Sequence, residues 1–586
     1  MWPFHVPYRQ YPVDKLEAEY DFIVAGGGTA GCALARRLSE SGKHTVLLIE
    51  KGDAADSWLN KTPLTSHHFA APDKKHSNVF NSAVDPAFGR SFPLICGVGL
   101  GGTTRINGAQ HTLGCPAEYD AWGQEGRPGW SYNELKPYFT KSENWIGATT
   151  KEGWHGSGGP LTVRPFADFF FGCAKVAAQA ASDIGFKPIA DMHSPLQPYI
   201  GWNKMQYILG ADGSRQSSFR TYLPKDFVNA TRNLHICTNA ITARLQFSKH
   251  VGGASLRADS VEIQSTDGNL TRVVAAKREI VLACGAFGSP QVLLLSGIGP
   301  EEHLKNMGIE IIRQSPGVGA NLQDHVFVRT VYNCPLQDSF ALVVKQPWLM
   351  LRELFKYLFY GTGWFLCTPV EVEIFGKASH IGPDGKPTAA SAQDQDPSSP
   401  HNRPDFAVMT VPMAEPDTPG IDPSKGLFGQ TIGIMKAESR GQVTLRSRNP
   451  TDNPVCEMRY LSHPDDWHTL RTAMRVSAQL CRQMQANGYP LEAAMVPSAL
   501  DDETLDAYIR ERVETMTHYA SSCRMAPESD EFPGVVDPSL RVHGIPNLRI
   551  ADASVLPNSP AVHPQALIYA VAEKCADMML RQYSEL

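Results

Sequence analysis

Apolar residues along this chain fall into two kinds of pattern. In Asp21-Phe22-Ile23-Val24-Ala25 and Thr45-Val46-Leu47-Leu48-Ile49 the apolar positions run almost unbroken, as in strands buried on both faces. The segment between them, Cys32-Ala33-Leu34-Ala35-Arg36-Arg37-Leu38, reads as a helix. Val281-Leu282-Ala283-Cys284 reads as a further strand. Ser289-Pro290 is expected to open the helix after it, with Pro in the first turn, and Gly297 to end it. The second pattern is helical: Leu351, Leu354, Phe355, Leu358 and Phe359 recur at helix spacing within residues 348–360, before Gly361 and Gly363. A core-facing helix is the first expectation there, because an apolar stripe ordinarily packs inward. A lid or wall of an apolar substrate channel is the sharper one. A membrane-surface helix is disfavoured, since the polar face has few basic residues. Phe169-Phe170-Phe171 are expected in the core, or beside the same channel. Residues 381–404, rich in Pro, Ser, Asp, Gln and Gly, read as an exposed loop.

At 586 residues the chain is long enough for more than one domain. A charged fraction of 19% and a net charge of −6 give no basic excess for nucleic acid. No run of about 18 apolar residues is present to form an integral membrane segment. The 12 cysteines contain no C-x-x-C pair, so neither a disulfide framework nor a zinc site is expected, and no metal is assigned. Met1-Trp2-Pro3-Phe4-His5 lacks a basic region followed by an apolar run, so a cytoplasmic location is expected. Ser584-Glu585-Leu586 resembles a peroxisomal tail only loosely, with Glu where a basic residue belongs.

The first strand runs into Gly26-Gly27-Gly28-Thr29-Ala30-Gly31, and the second ends at Glu50. A G-x-G-x-x-G turn inside a β-α-β unit binds dinucleotides. Gly26 permits the tight turn, Gly28 lets backbone amides approach a pyrophosphate, and Gly31 lets helix and strand pack closely. The helix N-terminus adds partial positive charge for the phosphates. Glu50 stands where a carboxylate accepts hydrogen bonds from ribose hydroxyls. The unit by itself does not separate FAD from NAD.

Three more motifs follow. Gly97-Val98-Gly99-Leu100-Gly101-Gly102-Thr103-Thr104-Arg105-Ile106-Asn107-Gly108-Ala109 is a glycine-rich loop that can lie against a flat or anionic ligand. Gly285-Ala286-Phe287-Gly288-Ser289-Pro290-Gln291 leads into an apolar run ending at Gly297-Ile298-Gly299. Two histidines, in Thr517-His518-Tyr519 and Val562-His563-Pro564, lie near the C-terminus, joined through Asn547-Leu548-Arg549-Ile550-Ala551-Asp552-Ala553. Nearly end to end, the chain resembles the glucose-methanol-choline (GMC) oxidoreductase family. The motif at 285–299 fits that family's signature at every defined position. The one at 97–120 departs at Val98 and at His111, the latter a position where the family prefers an aromatic residue or Ala.

The resemblance implies a mixed α/β fold: a Rossmann-like FAD-binding domain (15–160, 210–325 and 525–586) interleaved with a substrate domain of antiparallel sheet plus helices (161–209 and 326–524). It implies FAD as cofactor. Ile106 stands where some relatives carry a histidine bonded to the flavin, so FAD is expected to be non-covalent. Asn107, Gly108 and Ala109 are expected along the flavin ring, Ile241 by the adenine, Asp552 and Ala553 by the ribityl and pyrophosphate, and His563 and Pro564 at the pyrimidine side. Thr29, Ala30, Lys51, Gly102, Thr103, Gln110 and Gln565 complete the expected cofactor set. The expected activity is oxidation of a primary or secondary alcohol, of an apolar, aromatic or secondary-metabolite-like molecule, by hydride transfer to flavin N5. His518 is expected as base and His563 as its partner on the same oxygen, with the reverse assignment open. O₂ or another acceptor would reoxidise the flavin. The alternative is a lyase or decarboxylase on the same fold, with no net oxidation.

Overall fold

The computed structural model describes residues 8–54, 57–65, 76–148, 153–249, 256–388, 393, 396–414 and 418–583. The expectations for residues 1–5 and 584–586, and part of the loop 381–404, lie outside them. Within that loop Asn402 is buried and accepts hydrogen bonds from the amides of Tyr199 and Ile200, so the loop is pinned at its end.

Two sheets organise the molecule. The first has seven strands, in the order Leu234–Cys237, Val46–Ile49, Glu19–Ala25, Thr271–Leu282, Leu256–Ser265 and Ala240–Lys249, with Leu548–Ile550 also paired to Thr271–Leu282. Glu19–Ala25 pairs in parallel with Val46–Ile49 and with residues 275–282 of Thr271–Leu282. All of Val46–Ile49 and all of the apolar run Phe22–Ala25 are buried, as such unbroken runs require. The helix Thr29–Ser39 follows the first turn. Three parallel strands therefore end side by side at Gly26, Glu50 and Ala283. Ligands bind at such strand ends in open parallel sheets.

The second sheet is largely antiparallel: Glu492–Met495, Val326–Cys334, Gly426–Ile434, Phe406–Val411, Val372–Gly376, Gly201–Lys204 and Pro188–Ile189, with Glu514–Thr515 paired to Val326–Cys334. Alternation divides its faces. Val328, Ile432 and Val408 pack in one apolar cluster with Leu470, Ala473 and Leu480 of the helix Pro464–Ala486. The opposite face carries one cross-strand row, Arg329–Thr431–Met409–Glu373.

Two expectations change. The helix after Thr271–Leu282 spans Gly285–Leu295, so Pro290 lies inside it rather than in its first turn. Pro290 has no N–H for the carbonyl of Ala286, and the Ser522 hydroxyl donates to that oxygen instead, at 2.5 Å. Gly297, at φ +78°, follows the helix end as expected.

The helix Pro347–Tyr360 forms and stops at the left-handed Gly361. Apart from Leu354, which packs against Phe365 and Leu366, its apolar stripe neither faces the core nor lines the cavity described below. Leu351 is 68% exposed and Phe359 69%. The inward positions are Glu353 and Tyr357. Glu353 accepts from Arg352 and Lys356 and from the amide of Trp364, which turns the charged residue inward and the stripe outward. Among the described residues no helix is long and apolar enough to cross a membrane.

Candidate active site

A cavity of about 770 Å³ runs from the ends of the parallel strands to the row-bearing face of the second sheet. Its first end is built on glycines with distinct physical reasons. Gly26 sits at φ +99°, and a Cβ there would lie 2.4 Å from the carbonyl oxygen of Ala283. A Cβ on Gly31 would lie 1.7 Å from the carbonyl oxygen of Gly26, so Gly31 permits close helix–strand packing and does not line the cavity. A Cβ on Gly28 would meet nothing within 4 Å. Gly28 caps the helix Thr29–Ser39 without any side-chain bond, leaving the helix amides open to an anion. Thr29, Ala30, Lys51, Gly102, Thr103 and Ile241 line the same end. Glu50 lines it too, and its carboxylate accepts from the amides of Gly27, Gly52 and Gly99 at 2.7, 2.9 and 3.0 Å. That carboxylate ties three loops together.

The middle is walled by Asn107, Gly108, Ala109 and Gln110 on one side and by Asp552, Ala553, Pro564 and Gln565 on the other. Asn107 Nδ2 donates to Gln565 Oε1, and Asn107 Oδ1 accepts from the amide of Ala109 at 3.1 Å. Ala109 is held at φ +55°, a strained value for a residue with a Cβ. Arg215, fully buried, holds this turn from behind: it donates to the carbonyl of Asn107, to Asn107 Oδ1 at 2.6 Å and to the carbonyl of Thr104 at 2.8 Å. Burial lowers its pKa to about 9. Asp552 accepts from the amide of Gly285 at 2.9 Å, the Ser289 hydroxyl at 2.5 Å and the amide of Ser554 at 2.8 Å, and burial raises its pKa.

The far end brings the two histidines together. The rings of His518 and His563 stand 5.2 Å apart, nearly perpendicular, and both line the cavity. His518 lies between Thr517 and Tyr519 in a segment held at positive φ by Thr517 and Ser521. Its amide donates to Asp324 Oδ1 at 2.7 Å. Its Nδ1 lies 2.9 Å from Nδ1 of the fully buried His325, whose Nε2 lies 2.9 Å from the Ser559 hydroxyl. Desolvation, with His325 and His563 nearby, holds the His518 pKa well below 6.5. Desolvation likewise lowers His325 to about 3, and raises Asp324 to about 6 against the opposing hydrogen bonds from Thr515, Tyr460 and the His518 amide. His563 Nε2 lies 3.2 and 3.3 Å from the two oxygens of Glu373. Glu373 belongs to the cross-strand row, which continues to Asn203 on the next strand.

These contacts leave the two rings in different surroundings. Of the two proton arrangements these distances allow, the one in which His518 Nδ1–H donates to His325 Nδ1 and His325 Nε2–H to the Ser559 hydroxyl leaves the lone pair of His518 on Nε2. Among the described residues Nε2 of His518 has no hydrogen-bond partner. His563 Nε2 is already turned to a carboxylate.

Sequence reasoning missed His325, Asp324, Ser559, Glu373 and Arg215. The expected channel residues are also elsewhere. Phe171 packs against Phe340 and Trp364 in the core, and Phe169 and Phe170 do not line the cavity. The walls beside the histidines are Phe327, Val370, Met409, Thr431 and Met516.

Comparison with known proteins bears on the same residues. Models described as GMC oxidoreductase match residues 20–327 and 437–572. The oxygen-dependent choline dehydrogenase of Brucella suis biovar 1 is 32% identical over 574 residues, 96% of each chain. Among solved structures, a formate oxidase of Aspergillus oryzae superposes with a TM-score of 0.84 at 25% identity, covering 97% of this chain and 99% of that one. Pyridoxine 4-oxidase from Mesorbium loti does so with a TM-score of 0.80 at 25% identity, over 97% and 99%.

Proposed function

Because this chain belongs to the GMC oxidoreductase family, we propose that it oxidises a primary or secondary alcohol of a small apolar or aromatic molecule, with His518 as base. Membership carries the coarser statement: the protein is an FAD-using alcohol oxidoreductase acting on CH–OH donors. The lyase alternative draws no support from relatives named for dehydrogenation and oxidation.

The residues present fit FAD. The open space over Gly28, the uncapped helix amides and the cavity reaching from Gly26 to His518 suit a long ligand with a pyrophosphate near one end. Gly28, Thr29 and Ala30 would hold the pyrophosphate, with Gly26 and Gly31 shaping the turn. Glu50 and Lys51 would hold the ribose, and Ile241 the adenine. Gly102, Thr103, Asn107, Gly108, Ala109, Gln110, Asp552, Ala553, Pro564 and Gln565 would hold the ribityl chain and flavin. Bound there, FAD supplies the hydride acceptor, N5. Ile106 lines the cavity without a side chain able to bond to the flavin, which supports non-covalent attachment. Acid precipitation should leave the yellow colour in the supernatant; colour retained in the washed pellet would refute it. All strands of the first sheet fall within the proposed cofactor segments and all strands of the second within the proposed substrate segments, which supports the division.

An alcohol is a very weak acid, so its proton must leave as hydride leaves. His518, held neutral by desolvation, takes that proton at Nε2. The new charge on the ring strengthens its Nδ1–H bond to His325. Glu373 fixes the plane of His563, so that ring can hold the alcohol oxygen in place. Phe327, Val370, Met409 and Met516 exclude water and favour an apolar body on the alcohol. The observation that carries this reading is the contrast between the free edge of His518 and the carboxylate-bound edge of His563. An anaerobic flavin-reduction screen over aryl, aliphatic and sugar alcohols tests the substrate class. Fastest bleaching by a sugar alcohol would overturn it.

A further inference from the structure

Behind the turn that walls the middle of the cavity lies a second cluster of chemistry, unused by alcohol oxidation. His111, Glu143 and His193 are buried, and each offers a donor atom within 4.8 Å of the others. His193 Nε2 lies 3.0 Å from the carbonyl oxygen of His111. A ring nitrogen that donates to a carbonyl carries the proton, so in the neutral ring Nδ1 holds the lone pair. That Nδ1 is buried and has no hydrogen-bond partner. It faces Glu143 Oε1 across 3.7 Å.

An imidazole lone pair and a carboxylate oxygen repel each other across such a gap. The gap is wider than the about 2.7–2.9 Å of a charge-assisted hydrogen bond. The observed gap is instead near the donor–donor spacing of about 3.4 Å that bonds of about 2.0–2.1 Å impose on a tetrahedral ion. The surroundings fix the donors further. Glu143 also accepts from the amide of Gly156 at 2.7 Å and lies 3.2 Å from His155 Nδ1. His155 Nε2 lies 3.0 Å from Asp191, and Trp145 stacks on its ring at 3.8 Å. His155, Asp191 and His193 form an overlapping triad. Both nitrogens of His155 already face carboxylates, so it orients Glu143 and is not itself a donor. Metal ligands ordinarily need such supporting contacts.

We propose that His111, Glu143 and His193 bind one divalent transition-metal ion of the zinc class, with the fourth position of a tetrahedral site left open. Two imidazoles with one carboxylate suit Zn²⁺ or Co²⁺, whereas Mg²⁺ and Ca²⁺ call for oxygen donors. The ion would brace the cavity wall. His111 directly follows Gln110, and the next residue, Thr112, accepts at Oγ1 from the amide of His563 at 3.0 Å.

The test uses untagged holoenzyme. Elemental analysis after dialysis against Zn²⁺ should find one ion per chain. Dipicolinate should remove it with a fall in Tm, and Zn²⁺ should restore both. Co²⁺ in its place should add d–d absorption at wavelengths beyond the flavin bands. Glu143→Gln and His193→Asn should each lose the ion. Wild-type holoenzyme that retains neither Zn²⁺ nor Co²⁺ overturns the proposal, whatever the variants do. So do folded, flavin-bound variants that keep a full equivalent.

Discussion

Gly28 and Gly31 are three residues apart, yet alanine should destabilise the fold at only one of them. At Gly28 the added methyl meets nothing within 4 Å, and the backbone there has φ −78°, which alanine accepts. Gly28→Ala should therefore leave the flavin-free protein as stable as wild type. The methyl would instead stand in the space assigned to the pyrophosphate and push it off the helix amides. Losing one hydrogen bond to a charged group costs about 1.5–3 kcal/mol. At about 1.4 kcal/mol per decade, that is a tenfold to roughly 150-fold weaker Kd for FAD. At Gly31 the methyl carbon would lie 1.7 Å from the carbonyl oxygen of Gly26, a backbone atom that no rotamer can move. That is about 1.8 Å short of ordinary contact, so Gly31→Ala should lower Tm as well as FAD affinity. The assay is titration of flavin-stripped protein with FAD, followed by flavin fluorescence, beside thermal unfolding of the same stripped samples. A Gly28→Ala protein that binds FAD as tightly as wild type would refute the placement of the pyrophosphate.

His325→Asn should flatten the pH dependence of stability. Its folded pKa of about 3 lies below the unfolded value near 6.5, so the unfolded chain binds the extra proton in between. Wild type therefore keeps this contribution above about pH 6.5 and loses up to about 1.4 kcal/mol per pH unit as pH falls towards 3. Urea unfolding at several pH values in that window should give a slope smaller by about one proton in the variant; an unchanged slope would show that His325 titrates normally. Ser522→Ala strips the carbonyl of Ala286 of the donor that replaces the missing Pro290 amide, and should cost about 1–3 kcal/mol in chemical denaturation. Glu373→Gln keeps a hydrogen-bond acceptor for His563 but loses the charge. Charged bonds are about twice as strong as neutral ones, so flavin reduction should slow by roughly fivefold to tenfold, and an unchanged rate would remove Glu373 from the site.

What the sequence disclosed of this site was local. The strand, turn and helix around Gly26–Gly31 are read from neighbouring residues, because close packing at Gly31 and the tight turn at Gly26 are short-range demands. The parallel pairing with Thr271–Leu282 follows from buried, unbroken apolar runs. His325, Glu373 and Arg215 were hidden because their partners lie far along the chain: His325 meets His518, Glu373 meets His563 and Arg215 meets Asn107. Two glutamates alternating with valines in Val370-Glu371-Val372-Glu373 were the one local sign that a strand turns carboxylates inward. The donors His111, Glu143 and His193 have no close spacing for the same reason, and no metal was assigned from sequence. The helix Pro347–Tyr360 failed differently. Periodicity identified the helix but not which side faces in, and a buried Glu353 with its cationic neighbours reversed the expected orientation. Pro290 was placed at a helix start by its missing amide, yet Ser522 supplies the donor that lets the helix begin earlier.

The role of His518 is tested most directly by anaerobic stopped-flow reduction of FAD-loaded His518→Ala with the best alcohol found in the screen. Flavin content should match wild type, because no contact assigned to the cofactor is lost. The rate of flavin bleaching should fall by about 10²–10⁴-fold, the usual worth of a general base, and should recover in part as rising pH lets solvent take the proton. Bleaching at the wild-type rate by the variant, with flavin fully bound, would contradict the assignment of His518 as the base.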